Sequence, residues 1–205
     1  MSCDDCHIEI RDAGQRHVLW VLLAINAAMF LAELMLGIVA DSSGLIADSL
    51  DMFADALVYG LSLYAVGRAA SQKTRAAKLS GLFQVALALG MAADVVRRIV
   101  FGSEPVSALM MSVGAVALVA NIACLMLISK HRDGGVHMRA SWIFSTNDVL
   151  ANLGVIVAGA LVWATGMRWF DYAIGLVIFV LVLRGGFAIL REARVEAAAQ
   201  PQSRA

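Results

Sequence analysis

Six apolar stretches, each long enough to cross a lipid bilayer, constrain this chain more than any other feature. A membrane-spanning helix needs roughly 20 mostly apolar residues to cross about 30 Å of hydrocarbon. The sequence offers such stretches at about 18–40, 44–67, 79–101, 106–129, 140–164 and 170–190. Inside hydrocarbon each backbone N–H and C=O must be satisfied within the structure, which leaves helices as the form these stretches take. Composition agrees: 60% of the 205 residues are hydrophobic, 16% are charged and the mean hydropathy is +0.78, far from an ordinary soluble domain. The connections are short, so no soluble domain of useful size is expected. The expected fold is an all-α integral membrane bundle of six transmembrane helices over 18–191, with short tails at 1–17 and 192–205.

Formal net charge is zero, but its placement is lopsided. Thirteen of the 16 Lys and Arg fall in the N-terminal tail, the connections after spans two and four, and the C-terminal end. Only Arg97, Arg98 and Arg168 fall on the opposite side. Basic residues collect on the cytoplasmic side of membrane proteins, so both termini are expected in the cytoplasm of a cell (inner) membrane protein. No cleavable signal peptide is evident, because span one is long and lacks a small-residue cleavage pattern after a short apolar core.

Against this apolar background, "SSGLIADSLDMFADALVYG" in span two carries Asp48, Asp51 and Asp55. At 3.6 residues per turn the three fall within an arc of about 60° and form one acidic stripe. Charged groups deep in a span are costly, so they face a bundle interior or a water-filled cavity. Asp51 and Asp55 are one turn apart, where like charges repel unless protons stay on or a cation lies between them. No Lys or Arg lies in the middle of any span to neutralise them. Carboxylate oxygens suit hard or borderline divalent cations. Asp48, at the helix entry, has a second reading as a cap or interface hydrogen-bonding group.

Span five adds Asp148, with Asn147 before it, Asn152 one turn on and Phe144 one turn earlier on the same face. If spans two and five pack together, Asp51, Asp55 and Asp148 converge. Asn152 reads equally as a ligand or as hydrogen-bonding glue between helices. In span one, Asn26 and Glu33 lie seven apart on one face. They read as outer support for the site, as a proton path, or again as glue. Cys124 in span four reads as a small apolar filler, and the Met residues as packing residues.

The N-terminal "CDDCH" places Cys3, Cys6 and His7 together. That string also fits c-type haem attachment, which needs the extracytoplasmic side, whereas the charge bias puts this tail inside. A tail that captures metal ions and a plain unstructured end both stay open. No prosthetic group is expected, nor a nucleic-acid partner.

In order and spacing these pieces resemble the transmembrane domain of the cation diffusion facilitator (cation efflux) family. The likeness runs over roughly 18–191. It comprises Asn26, Glu33 and Gly37 in span one, "SGLIADSLDMFADA", "DVVRRIVFGSEPV", "NDVLANLGVIVAG" and "TGMRWFDYAIG". The resemblance implies a homodimeric exporter that exchanges cytoplasmic Zn²⁺ or a similar divalent ion for protons. It also implies a transport site with two residues from span two and two from span five, each pair four apart. Three of these positions fall on Asp51, Asp55 and Asp148. The fourth, often His in the family, falls on Phe144, which cannot ligate a metal. Asn147, Ser145, Asn152, Asp48 or a water could supply the fourth oxygen. An all-oxygen site of that kind leaves the choice among Zn²⁺, Co²⁺, Cd²⁺, Fe²⁺ and Mn²⁺ open, and the acids themselves must then take up the protons. Family members commonly carry a soluble metal-binding domain after span six; here only a short tail follows Arg191.

Two other readings compete. One is a transport-inactive relative that senses metal or assists a partner. The other is a metal-dependent phospholipid-headgroup transferase. That chemistry needs an Asp-Gly followed by Ala-Arg and a spaced Gly before the last acids, an arrangement that residues 40–55 lack. The expectation is therefore a transporter rather than an enzyme.

Overall fold

The computed structural model describes residues 3–65, 70–129 and 136–199. They form six helices: α1 Cys3–Val39, α2 Ser43–Ala65, α3 Ala70–Phe101, α4 Ser107–Ser129, α5 Val136–Thr165 and α6 Trp169–Ala199. Several helices outrun their apolar stretches. α1 begins at Cys3 and α6 continues past Arg191 to Ala199, both extensions carrying charged residues at helical spacing.

Among the described residues five helices are long and apolar enough to cross a membrane: segments Arg16–Val39, Ala77–Phe101, Ser107–Ser129, Asp148–Thr165 and Trp169–Ala198. The sequence predicts six. The one that falls short is α2, which has the length, at 23 residues, but whose three aspartates dilute its apolarity.

Packing explains how α2 tolerates those acids. It touches each of the other five helices, whereas the strongest remaining contacts join neighbours in pairs, α3 with α6 and α4 with α5. Large exposed apolar side chains cover the other helices, among them Trp20, Met35, Leu82, Val100, Val119, Leu150 and Phe187, while α2 adds only Tyr64 among its described side chains. The bundle is thus greasy outside and polar within, with the helix that carries three aspartates in its apolar stretch at the centre, the arrangement a lipid solvent demands.

Two apolar clusters bracket the polar interior. One gathers Ala40, Leu45, Met110, Val155 and Ile178 near the α1–α2 turn. The other gathers Leu19, Leu22, Tyr59, Cys124 and Ile128 toward the far end. Asn26 and Glu33 of α1, Asp48, Asp51 and Asp55 of α2 and Asn121 of α4 lie between them.

The α1–α2 turn is tight. Ala40 N bonds Leu36 O at 2.7 Å, Ser42 N bonds Gly37 O at 3.1 Å, and Asp41 takes a left-handed φ of 48°. A Cβ on Gly37 would come within 3.1 Å of the Ile46 backbone nitrogen and of Leu45 Cβ. Only glycine lets α1 and α2 approach so closely there, and that approach carries Glu33, one turn earlier, against α2.

The start of α2 is held from another helix. Ser42 Oγ accepts from Leu45 N at 3.1 Å, an N-cap in itself. Asp171, fully buried in the first turn of α6, accepts from Ser43 N at 2.6 Å, Gly44 N at 2.9 Å and the Ser42 hydroxyl at 2.5 Å. Nearby, Arg98 is 2% exposed and ion-paired to Asp94 at 2.8 Å and to Asp41. Tyr172 donates to Arg98 O at 3.2 Å, and Val106 N donates to Ala40 O at 2.8 Å. These contacts lock the ends of α1, α3 and α6 and the start of α2 into one polar latch.

Candidate metal-ion site

Three carboxylates meet in the interior. Asp51 and Asp55 come from α2 and Asp148 from α5, and one oxygen from each lies within 4.8 Å of the others. All three are buried, at 8%, 2% and 7% exposure. The i, i+4 spacing places the α2 pair on one face, and packing of α2 on α5 brings Asp148 to it. The Asp55 and Asp148 carboxyls face each other. Among the described residues no Lys or Arg pairs with any of the three; the ion pairs that are formed sit at the latch, around Arg97 and Arg98.

One polar partner escaped the sequence reading. Tyr59, one turn after Asp55 and 1% exposed, donates to Asp55 Oδ2 at 3.3 Å and lies 3.4 Å from Ser145 Oγ. It therefore links the α2 acid to α5. The i+4 step from Asp55 was the signal available for it.

Asp48 and Asn152 stand outside the three-acid group. Asn152 Nδ2 lies 3.5 Å from Asp48 Oδ1 and donates to Asp148 O at 2.9 Å. Glu33 faces Asp48. Asn26 parts company with Glu33: its Nδ2 donates to Leu22 O at 2.9 Å and reaches Cys124 Sγ at 3.9 Å, in the far apolar cluster. Cys124 is buried as expected, but with this weak polar contact rather than as a pure filler. The side chains of Cys3, Cys6, His7, Phe144 and Asn147 lie outside the described residues.

The arrangement can do one thing well: hold a divalent cation by carboxylate oxygens. Such oxygens sit about 2.0–2.6 Å from Zn²⁺ or Ca²⁺-sized ions, so three of them within 4.8 Å of one another can converge on one ion by small rotamer changes. Without it, three buried like charges repel.

The profile of the cation efflux transmembrane domain matches residues 19–196. This chain belongs to the cation efflux family. It is a multi-pass membrane protein, as that domain and the five apolar spans indicate. Among similar proteins, the metal cation efflux system protein CzcD of Cupriavidus metallidurans is 23% identical over 197 residues, 90% of this chain and 62% of that protein. A cadmium, cobalt and zinc/H(+)-K(+) antiporter of Bacillus velezensis is 24% identical over 119 residues, 57% of this chain and 38% of that one. The zinc transporter ZitB of Yersinia pseudotuberculosis is 25% identical over 100 residues, 48% of this chain and 32% of that one. The chain thus spans less than two thirds of each of these relatives.

Proposed function

We propose that the chain carries a divalent metal cation, Zn²⁺ or a similar ion such as Co²⁺, Cd²⁺, Fe²⁺ or Mn²⁺, out of the cytoplasm in exchange for protons. The observation that carries this reading is the convergence of Asp51, Asp55 and Asp148 without a basic partner among the described residues. The names of the relatives, metal efflux proteins and antiporters among them, support it.

In this reading the cation enters dehydrated and recovers from the three carboxylates what it lost in water. Tyr59 holds Asp55 in place through its hydroxyl. Rocking of the helices opens the site to the far side, protons displace the ion, and the neutralised acids allow return, which is alternating access about a site at mid-membrane. The two apolar clusters above and below the acids are placed to act as the closed ends of that path. α2 serves as the sixth span, shielded on all sides by its neighbours, with both termini in the cytoplasm and two copies forming a homodimer.

Uptake into vesicles containing the purified chain tests this. Wild type should take up Zn²⁺ or Co²⁺ when a pH gradient drives protons out of the vesicles. Asp51→Ala or Asp148→Ala should lower uptake by at least the about 10–100-fold that follows loss of even an outer partner of a metal ligand. Uptake indifferent to both substitutions would refute the site. Uptake that ignores the pH gradient would remove proton exchange while leaving the site intact. No uptake by the wild type would favour a sensor or accessory protein.

A further inference from the structure

Eight buried side-chain nitrogens and oxygens have no protein hydrogen-bond partner among the described residues, and four of them lie together. They are both carboxylate oxygens of Glu33, Oδ2 of Asp48 and Oδ1 of Asn152. Glu33 faces Asp48, and Asn152 Nδ2 lies 3.5 Å from Asp48 Oδ1. The other four atoms are scattered over Asn26, Ser43, Gln84 and Asn121. Glu33, Asp48 and Asn152 are 0%, 1% and 0% exposed, so lipid and bulk solvent are both shut out.

All four atoms are oxygens, and an ionised carboxylate or an amide oxygen can only accept. A proton shared between Glu33 and Asp48 would pair two of these oxygens and leave the others, Asn152 Oδ1 among them, without a donor, and buried polar groups without partners are costly. A cation bound among them would serve all of them at once. Two carboxylates and one amide oxygen make a ligand set for a hard or borderline divalent cation.

Its position relative to the three-acid site is specific. Asp48 precedes Asp51 by three residues on α2, and Asn152 follows Asp148 by four on α5. Both steps lead the same way, toward the α1–α2 turn, and at 1.5 Å per residue they amount to about 5 Å. α1 completes the group with Glu33, brought in by the close approach at Gly37. Asn152 ties the two levels together, because its Nδ2 donates to the carbonyl of Asp148 at 2.9 Å while its Oδ1 stays unpartnered.

We propose that Glu33, Asp48 and Asn152 form a second divalent-cation station, one helical turn from Asp51, Asp55 and Asp148 on the side of the α1–α2 turn. This rests on the transport reading above and extends it: the ion passes from one oxygen cage to the next. Two divalent charges about 5 Å apart repel strongly at low dielectric, so the stations fill in turn and never together. Each is built around a facing pair of carboxyls, Asp55 with Asp148 and Glu33 with Asp48.

Titration of Co²⁺ alone into the purified full chain in detergent tests the proposal. The Asp51→Asn/Asp148→Asn double variant dismantles the first station and should keep saturable binding of one Co²⁺, weaker than wild type. Adding Glu33→Gln should weaken that residual binding by about tenfold or more. Adding Asp48→Asn instead should do the same, so that a folding defect in one variant does not decide the matter. A double variant that melts like the wild type yet binds no Co²⁺ would overturn the second station. So would residual binding that neither addition moves, the result expected if Glu33 and Asp48 merely share a proton. Undiminished binding in the double variant would overturn the first station alone, and the Glu33→Gln addition would still decide the second.

Discussion

Asp55 on α2 meets Asp148 on α5 carboxyl to carboxyl, deep in the bundle, with no Lys or Arg paired to either among the described residues. Neighbouring spans do not make this contact; it joins two helices far apart in the chain. Two buried acids so placed are stable only with a proton or a cation between them. The consequences can be checked one at a time.

Tyr59→Phe removes the hydroxyl that links Asp55 to Ser145, at 3.3 and 3.4 Å, and leaves the ring in its apolar cluster. Bonds of that length orient rather than ligate. The expected result is a transport KM for Zn²⁺ raised roughly two- to tenfold, matching about 0.5–1.5 kcal/mol per hydrogen bond, with maximal rate little changed. Complete loss of transport would mean that Tyr59 does more than position Asp55.

Asp171→Ala strips three hydrogen bonds from the start of α2 and leaves the Ser43 and Gly44 amides without their acceptor. Charge-assisted bonds of this kind are worth about 1.5–3 kcal/mol, so destabilisation of about 2–3 kcal/mol is expected. Unfolding of the detergent-solubilised chain measures it. Asp171→Asn, which keeps an acceptor oxygen, should cost less.

Gly37→Val puts side-chain atoms where the Ile46 backbone nitrogen and Leu45 already stand at 3.1 Å from a Cβ. Overpacking of this sort costs about 1–3 kcal/mol, and it should push α1 off α2. Cysteines placed across the α1–α2 contact should then cross-link more slowly than in the Gly37 protein. An unchanged cross-linking rate would show that the helices can absorb the bulk elsewhere.

Arg98→Met should also destabilise the bundle, since it removes the cation that holds Asp94 and Asp41 together. Because Arg98 is itself buried, added salt should do little to mimic the change. A wild-type melting temperature in Arg98→Met would rule out the latch as a stabilising element.

Much of this was legible in the sequence. Length and apolarity gave six helices, because in a bilayer the solvent leaves the backbone no other form. The spacing of Asp51 and Asp55, with Asp148 in a second polar helix, identified the residues that the bundle brings together, since charged groups in a span have few places to point. Other features depended on packing that no periodicity records. The centrality of α2 follows from which helix touches which, and its acids are the reason it falls short as an apolar span. Asn26 and Glu33 share a face of α1, yet two turns of rise send one to Cys124 and the other to Asp48. Nothing in the spacing of Asp171 and Arg98 marks their partners, and only the fold shows them reaching back to Ser43, Gly44 and Asp41.

The most direct measurement is an anomalous-difference map of the chain soaked in Co²⁺. The expected result is the strongest peak among Asp51, Asp55 and Asp148, with an oxygen of each at about 2.0–2.2 Å, and loss of that peak in Asp148→Ala. A strongest peak elsewhere, with the three acids unliganded, would contradict the proposed site.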